Sequence, residues 1–194
     1  LGGRCGPHRR RWRQVVCIAS GPSLTPEDCE AVRRWRQAES DDEKARGVIV
    51  TNTTFRLCPW ADVLYAMDSA WWQQHFTEVA QAFQGERWAP ITHRSVRKAR
   101  FTHFQNSGAG AAALAAHWGA ERIILLGYDC QRTGGKAHWH GDHPAGLGNA
   151  GSLDKWPAQF RQLAAHLSPV QVINCSRETA LADFPRRLLS EALL

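Results

Sequence analysis

Short apolar segments alternate with helical segments along most of the chain, and this alternation is the feature that most restricts its fold. The clearest apolar segments are QVVCIA, GVIVT, DVLYAM, RIILLG and VQVIN, at 14–19, 47–51, 62–67, 122–127 and 170–174. A helix between two strands carries the chain back to the starting edge of the sheet, so such strands pair in parallel. The sequence therefore predicts an α/β domain with a single Rossmann-like, doubly wound, mostly parallel sheet and helices on both faces.

The segments between these strands carry signals for helix starts and ends. Thr25 is a predicted N-cap, Pro26 suits the first helical position, and Asp28 completes a capping-box pattern. Gly119 ends an alanine-rich helix as its C-cap. The remaining predicted elements are helices at 69–83 and 107–118, a helix capped by Asp154 that carries Trp156 to Leu167, a last helix from Glu178 to the end, and an edge strand ARFTHF at 99–104.

The charge of the chain is concentrated at its start. The 194 residues suffice for one domain with a substantial core, and the formal net charge is +6. The first segment has five arginines and no acid: Arg4, Arg9, Arg10, Arg11 and Arg13. We therefore predict a basic, disordered arm at 1–13 and a nucleotide-binding domain at 14–194. The arm is a candidate nucleic-acid contact, with a solvated end as the alternative.

Cysteine usage and hydropathy bound the cellular location. The six cysteines include no C-x-x-C pair, so we expect reduced thiols rather than a disulfide framework or a zinc knuckle. No apolar stretch is long enough to span a bilayer, and the first residues lack the apolar middle of a signal peptide. These features predict a cytoplasmic protein with no membrane partner.

Polar residues follow the ends of the predicted strands. Ligands of doubly wound sheets bind beyond the carboxyl ends of the strands, and helix N-termini there present N–H groups to anions. At the GPS turn, residues 21–23, the alternative to an anion site is a plain connection between strand and helix. At NSG, residues 106–108, the alternative is close packing of the helix. The candidate ligand contacts are Gly21, Pro22, Ser23, Asn52, Thr53, Asn106, Ser107, Gly108 and Asp129.

The segment HWHGDHP at 138–144 is the densest group of titratable residues. In an extended segment His138 and His140 point to the same side, and Asp142 and His143 follow on a glycine turn. Imidazole is the natural acid or base near neutral pH, so these four are the candidate catalytic residues. A transition-metal site and a mobile polar loop are the alternatives.

Two aspartates, Asp68 and Asp129, each follow an apolar strand. Acids so placed can hold a divalent cation, a ribose or a catalytic proton. Capping of the following helix is the alternative for Asp68.

Six motifs spread over most of the chain carry a family resemblance: SGPSL, NTT, DVLYAMD, NSGAGAAALAAHWGAERIILLGYDC, HWHGDHP and NCSRETALADFP. Together they resemble the superfamily of CMP-sialic-acid-dependent bacterial sialyltransferases, motility accessory factor proteins and archaeal 6-hydroxymethyl-dihydropterin pyrophosphokinase. Small phage and prophage proteins look similar too.

The sialyltransferase side of the resemblance implies that a nucleotide donor is held by Gly21, Pro22, Ser23 and Asn52 and is faced by Ser107 and Gly108. It also implies a histidine base in the 138–143 loop. The pyrophosphokinase side, through HGDH where those members have HGDN, implies instead that Asp68, Asp129 and Asp142 hold Mg²⁺ and phosphates.

We therefore predict a group transferase of the glycosyltransferase type, with a nucleotide or nucleotide-sugar donor and an acceptor hydroxyl. One alternative is a Mg²⁺-dependent pyrophosphokinase, which chelation of the metal would inactivate. The other is a non-catalytic phage-type nucleotide-binding or DNA-associated protein that docks through the basic arm.

Overall fold

A computed structural model describes residues 11–38, 45–141 and 153–194. In these residues seven strands form one sheet in the order β5-β4-β3-β2-β1-β6-β7, and every pair is parallel. The strands are β1 Gln14–Ile18, β2 Arg46–Thr51, β3 Val63–Tyr65, β4 Glu86–Ala89, β5 Arg97–Lys98, β6 Arg122–Leu126 and β7 Gln171–Asn174. The helices are α1 Pro26–Gln37, α2 Ser69–Ala82, α3 Ser107–His117, α4 Trp156–Leu167 and α5 Leu189–Ala192, with 3₁₀ turns at Asn52–Arg56 and Leu153–Lys155.

Helices cover both faces of the sheet, as the doubly wound prediction requires. Successive residues of a strand point to opposite faces. Val16 and Ile18 therefore pack in the cluster that includes α1 and α2, while Val15 and Cys17 pack in the cluster that includes α3 and α4. The predicted α/β, doubly wound fold is confirmed.

The strand order reverses between β1 and β6. Strands β1 to β5 progress to one side, whereas β6 returns to pair with β1 on the other, with Ile18 opposite Leu126. Connections leaving such a switch point diverge to opposite faces and leave a crevice at the carboxyl ends of the two strands. The segments after β1, β2 and β6 are thus neighbours at one edge.

The predicted edge strand at 99–104 is wrong. The edge is built from β4 and β5, and the 99–104 segment is irregular, ending at Phe104 and Gln105 with left-handed φ values of 56° and 55°. The sequences ERWA and RK lack an apolar run because edge strands are commonly charged and half exposed.

The ends of the helices follow the sequence signals only in part. The N–H of Asp28 donates to the Thr25 hydroxyl at 3.2 Å, and Gly119 has a φ of +85°, so both predicted caps are confirmed. Asp154 instead lies within the 3₁₀ turn before α4, and Lys155 occupies the N-cap position. That cap prediction is wrong.

The predicted last helix is also wrong over most of its length, because only Leu189–Ala192 is helical. The segment before it is held in another way. The N–H of Asn174 donates to the Pro185 carbonyl, and Arg186 forms a parallel bridge with Asn174. Pairing with β7 therefore replaces helix formation.

The last three residues of the predicted arm, 11–13, pack against the domain, and residues 1–10 lie outside the described chain. Trp12 is buried over Gly47. The Arg11 guanidinium lies 4.4 Å from the Trp12 ring and 4.6 Å from the Trp118 ring, and it donates to Glu86.

The predictions of reduced thiols and of no membrane-spanning segment can be compared with the described residues. Their five cysteines, which are all of the six except Cys5, are free thiols. No helix in these ranges combines the length and the apolar character needed to cross a membrane.

Candidate functional site

The segment after β6 crosses the carboxyl edge of the sheet and contacts the segments after β1 and β2. The Nδ1 atom of His138 lies 3.1 Å from the Ser20 hydroxyl, and the Trp139 N–H donates to the Ser20 carbonyl at 3.0 Å. One step further on, the Nε2 atom of His140 lies 2.9 Å from the Thr53 hydroxyl. We call Ser20, Thr53, His138 and His140 the histidine rim.

The two histidines of the rim lie side by side. Their ring centroids are 5.1 Å apart and the planes differ by 2°. Trp139 points the other way, packs with the α1 and α2 cluster and reaches Thr54. His138 is buried and His140 is partly exposed, so His140 is the imidazole that a bound molecule can reach.

Asn52 gives the rim an acceptor. It adopts a left-handed φ of 47°, which asparagine tolerates better than most residues. Its Oδ1 atom is buried and has no hydrogen-bond partner among the described residues. Buried carbonyl oxygens are rarely left unpaired, and strained backbone is concentrated at functional sites. Asn52 therefore offers an oriented acceptor beside Thr53.

The GPS turn after β1 is held by a carboxylate of the chain itself. Asp129 accepts from the Ser23 N–H at 2.9 Å, from the Ser23 hydroxyl at 2.8 Å and from the Thr133 hydroxyl at 2.9 Å. Burial raises the pKa of Asp129, against the hydrogen bonds from Ser23 and Thr133, which lower it. The turn is thus satisfied internally, and anion binding by Gly21, Pro22 and Ser23 stays a prediction.

The start of α3 is anchored to the ends of β3 and β6. Asn106 accepts from the Ala109 N–H at 2.8 Å and so caps the helix. The Ser107 hydroxyl accepts from the Met67 N–H at 3.2 Å, and the Tyr128 hydroxyl donates to the Gly108 carbonyl at 2.8 Å. These contacts bring Asn106, Ser107 and Gly108 to the carboxyl edge, although no described contact joins them to the histidine rim.

Of the three predicted metal ligands, the structure describes Asp68 and Asp129. Asp68 occupies the N-cap position of α2, and the Asp129 oxygens already accept from Ser23 and Thr133. Within 11–38, 45–141 and 153–194 no three His, Cys, Asp or Glu side chains are grouped to hold a metal ion. The side chain of Asp68 makes no capping hydrogen bond, so of these two carboxylates only that of Asp129 is occupied by the donors named, and the Mg²⁺ site stays a prediction. Asp142 and His143 lie outside the described residues.

Three polar residues of this region were absent from the predicted set. Ser20 and Thr54 are sequence neighbours of predicted contacts. The rule that polar residues after a strand are candidates could therefore have included both. Thr133 carries no such signal. Its bond to Asp129 depends on the folding of the loop after β6.

The fold and this edge define a doubly wound α/β domain with a polar, histidine-containing carboxyl edge. A solved structure similar to the chain is the MAf glycosyltransferase from Magnetospirillum magneticum AMB-1, with a TM-score of 0.65 and 13% sequence identity. The similarity covers 94% of this chain, which spans 34% of that chain. At this identity it shows a shared fold, which confirms the fold implied by the motility accessory factor resemblance. No protein-family model and no curated protein matches the chain.

Proposed function

We propose that the chain is a group transferase of the glycosyltransferase type that uses a nucleotide-sugar donor. The observation that carries the proposal is the histidine rim, four polar side chains from three segments that meet at the carboxyl edge. Its support is the fold shared with a glycosyltransferase over 94% of the chain. Because the chain spans 34% of that neighbour, donor, acceptor and activity are all parts of the proposal.

In this proposal the donor lies across the ends of β1 and β2. The buried Oδ1 atom of Asn52 accepts from a ribose hydroxyl or a base amino group, which removes the cost of leaving it unpaired. The first turn of α3, at Ser107 and Gly108, faces the phosphate of the donor. A helix N-terminus favours a nearby anion by about 0.3–1 kcal/mol at an exposed site and more when partly buried.

His140 is the proposed base. The acceptor O–H gives its proton to the imidazole, the acceptor oxygen forms a bond to the anomeric carbon, and the bond from that carbon to the phosphate oxygen breaks. The nucleotide leaves with the electron pair. The Thr53 hydroxyl at 2.9 Å and the parallel ring of His138 orient the His140 ring, and Ser20 in turn fixes His138. His138 is thus a positioning residue.

The test combines donor binding with donor turnover. A thermal-shift screen of nucleotides and nucleotide sugars should give a stabilising ligand, because ligand binding to the folded state raises the apparent stability. With that donor, His140→Ala should lower turnover by roughly 10²- to 10⁴-fold while donor affinity changes little. Asn52→Ala should weaken donor binding.

The matched control is His166→Ala, an exposed histidine of α4 that contacts the Phe104 ring. It should leave both quantities unchanged. Absence of any nucleotide-sugar shift, or unchanged turnover in His140→Ala, would contradict the proposal. Activity that is lost with a chelator and restored by Mg²⁺ would favour the pyrophosphokinase alternative. Nucleotide binding without turnover would favour the non-catalytic one.

A further inference from the structure

A cavity of about 540 Å³ lies at the amino-terminal edge of the sheet, across the strands from the histidine rim. The residues that line it include two tryptophans, Trp12 and Trp60, and three arginines, Arg11, Arg87 and Arg97. The volume is within the range of small-molecule sites. The proposed transferase function uses none of these residues.

The carboxylate of Glu86, which lines the cavity, is paired with several hydrogen-bond donors. It accepts from Arg11 at 3.0 Å and from the Trp88 indole N–H at 2.7 Å, and it lies 3.2 Å from Arg97. A single negative charge therefore stands against two guanidinium groups, Arg11 and Arg97. This half of the cavity has one positive charge in excess.

The second carboxylate of the wall, Asp62, is also committed. It accepts from Arg36 at 2.8 and 3.0 Å and from the Val48 N–H at 2.8 Å. Arg36 balances it, so Asp62 does not offset the charge of Arg87. The wall and its ion-pair partners thus place four guanidinium groups around two carboxylates.

Arg87 gives separate evidence for a bound ligand. Its Nε atom is buried and has no hydrogen-bond partner among the described residues. The guanidinium lies 5.8 Å from the Phe76 ring, a contact that gives no acceptor for that N–H. A buried donor of a charged group is rarely left unpaired, and an anion bound beside Arg87 would give this N–H an acceptor.

We propose that this cavity binds a small molecule that ends in a phosphate monoester. A phosphate monoester carries about −1.5 to −2 charges at neutral pH, which matches the two positive charges in excess. A guanidinium group can donate two parallel N–H···O hydrogen bonds to a phosphate, so the arginines suit this group in geometry as well as in charge. The indoles of Trp12 and Trp60 supply apolar walls for the remainder of the molecule.

Phenyl phosphate is the probe, because it joins the dianionic group to a flat ring and contains no nucleotide. Isothermal titration calorimetry at pH 7.5 should detect its binding to the full chain. Phenyl sulfate, a monoanion of the same shape, should bind with an affinity lower by about tenfold or more than that of phenyl phosphate. Phenol should not bind. At pH 5, below the second phosphate pKa of about 6, phenyl phosphate should lose affinity.

The variants locate the bound phosphate. Arg87→Gln should weaken phenyl phosphate by about tenfold or more, the loss expected for a charge-assisted hydrogen bond. Arg97→Gln, at a more exposed position, is the second variant should Arg87→Gln fail to fold. Arg100→Gln removes the same charge from an exposed position outside the cavity and should leave the affinity within about twofold.

Two results would overturn the proposal. The first is no phenyl phosphate binding, or equal binding of phenyl sulfate. The second is wild-type affinity in the Arg87 and Arg97 variants, or loss of affinity in His140→Ala, which would place the phosphate at the histidine rim.

Discussion

The Asp129 carboxylate accepts hydrogen bonds from both the backbone N–H and the hydroxyl of Ser23, at 2.9 and 2.8 Å. This contact ties the segment after β6 to the start of α1 across the switch point of the sheet. It also explains Gly21, because a Cβ there would overlap the Asp129 carboxylate and the Gly127 carbonyl. The donors of the turn before α1 are thus used within the fold.

Removal of this carboxylate should destabilise the protein. Asp129→Ala leaves the Ser23 N–H and the Ser23 and Thr133 hydroxyls without their acceptor, so we expect the free energy of unfolding to fall by about 1–3 kcal/mol. Urea denaturation measures the change. Asp183→Ala, at an exposed position, is the control and should stay within about 0.5 kcal/mol. Equal stability of both variants would show that the Asp129 contact contributes nothing.

Two glycines of α3 form a matched pair. A Cβ at Gly110 would overlap the Tyr65 ring, with its nearest atom at 2.5 Å, whereas a Cβ at Gly108 meets Tyr128 at 3.1 Å. Alanine is the better helix former by about 1 kcal/mol, but overpacking costs about 1–3 kcal/mol. We therefore expect Gly110→Ala to lower the melting temperature clearly more than Gly108→Ala. The opposite order in thermal denaturation would contradict the described packing of α3 on β3.

The start of the folded domain can be located by truncation. A chain beginning at Arg11 keeps the Arg11–Glu86 ion pair and buried Trp12, and it should unfold at the same urea concentration as the full chain. A chain beginning at Gln14 loses the Trp12 side chain, a loss that costs roughly 3–5 kcal/mol in buried sites. Equal stability of the two truncated chains would support a boundary after residue 13.

His75 should make stability depend on pH. It is 5% exposed, its ring lies 4.9 Å from that of Trp71, and burial lowers its pKa, against the hydrogen bond with Glu78, which raises it. The folded protein therefore keeps His75 neutral below pH 6.5, where the unfolded chain takes up a proton. Its contribution to stability is present above pH 6.5 and is lost as the pH falls through the folded-state pKa.

The measurement is the free energy of unfolding from pH 8 to pH 5. We expect a decline below pH 6.5 that His75→Phe makes shallower. His166→Phe changes an exposed histidine and should keep the wild-type slope. If His75→Phe also keeps that slope, another group causes the pH dependence.

The strands that the sequence revealed are those buried on both faces. β1, β2, β3, β6 and β7 contain apolar runs because helices cover both sides of the sheet there. β4 and β5 were not predicted because all their residues except buried Ala89 are charged or at least partly exposed near the sheet edge. Local composition therefore identified the centre of the sheet and missed its edge.

At the site, neither the local backbone nor the long-range pairing followed from the sequence. The rings of His138 and His140 are parallel, but they lie in a turn closed by the hydrogen bond from the Gly141 N–H to the His138 carbonyl, and not in the predicted extended segment. The partners Ser20 and Thr53 depend on the path of a loop that brings residues 118 and 87 positions apart into contact. Ser23 and Asp129 were both identified, but the N–H and hydroxyl of Ser23 can donate to an internal carboxylate or to a ligand phosphate, and the sequence does not distinguish the two.

The most direct test of the proposed donor site is histidine ring NMR with the nucleotide sugar selected by the thermal-shift screen. Ring signals of His138 and His140, assigned with His→Gln variants, should shift on donor binding, while those of His75 and His166 stay in place. Donor binding that moves only histidines away from the rim, or that leaves all ring signals unchanged, would contradict a donor site at the ends of β1 and β2.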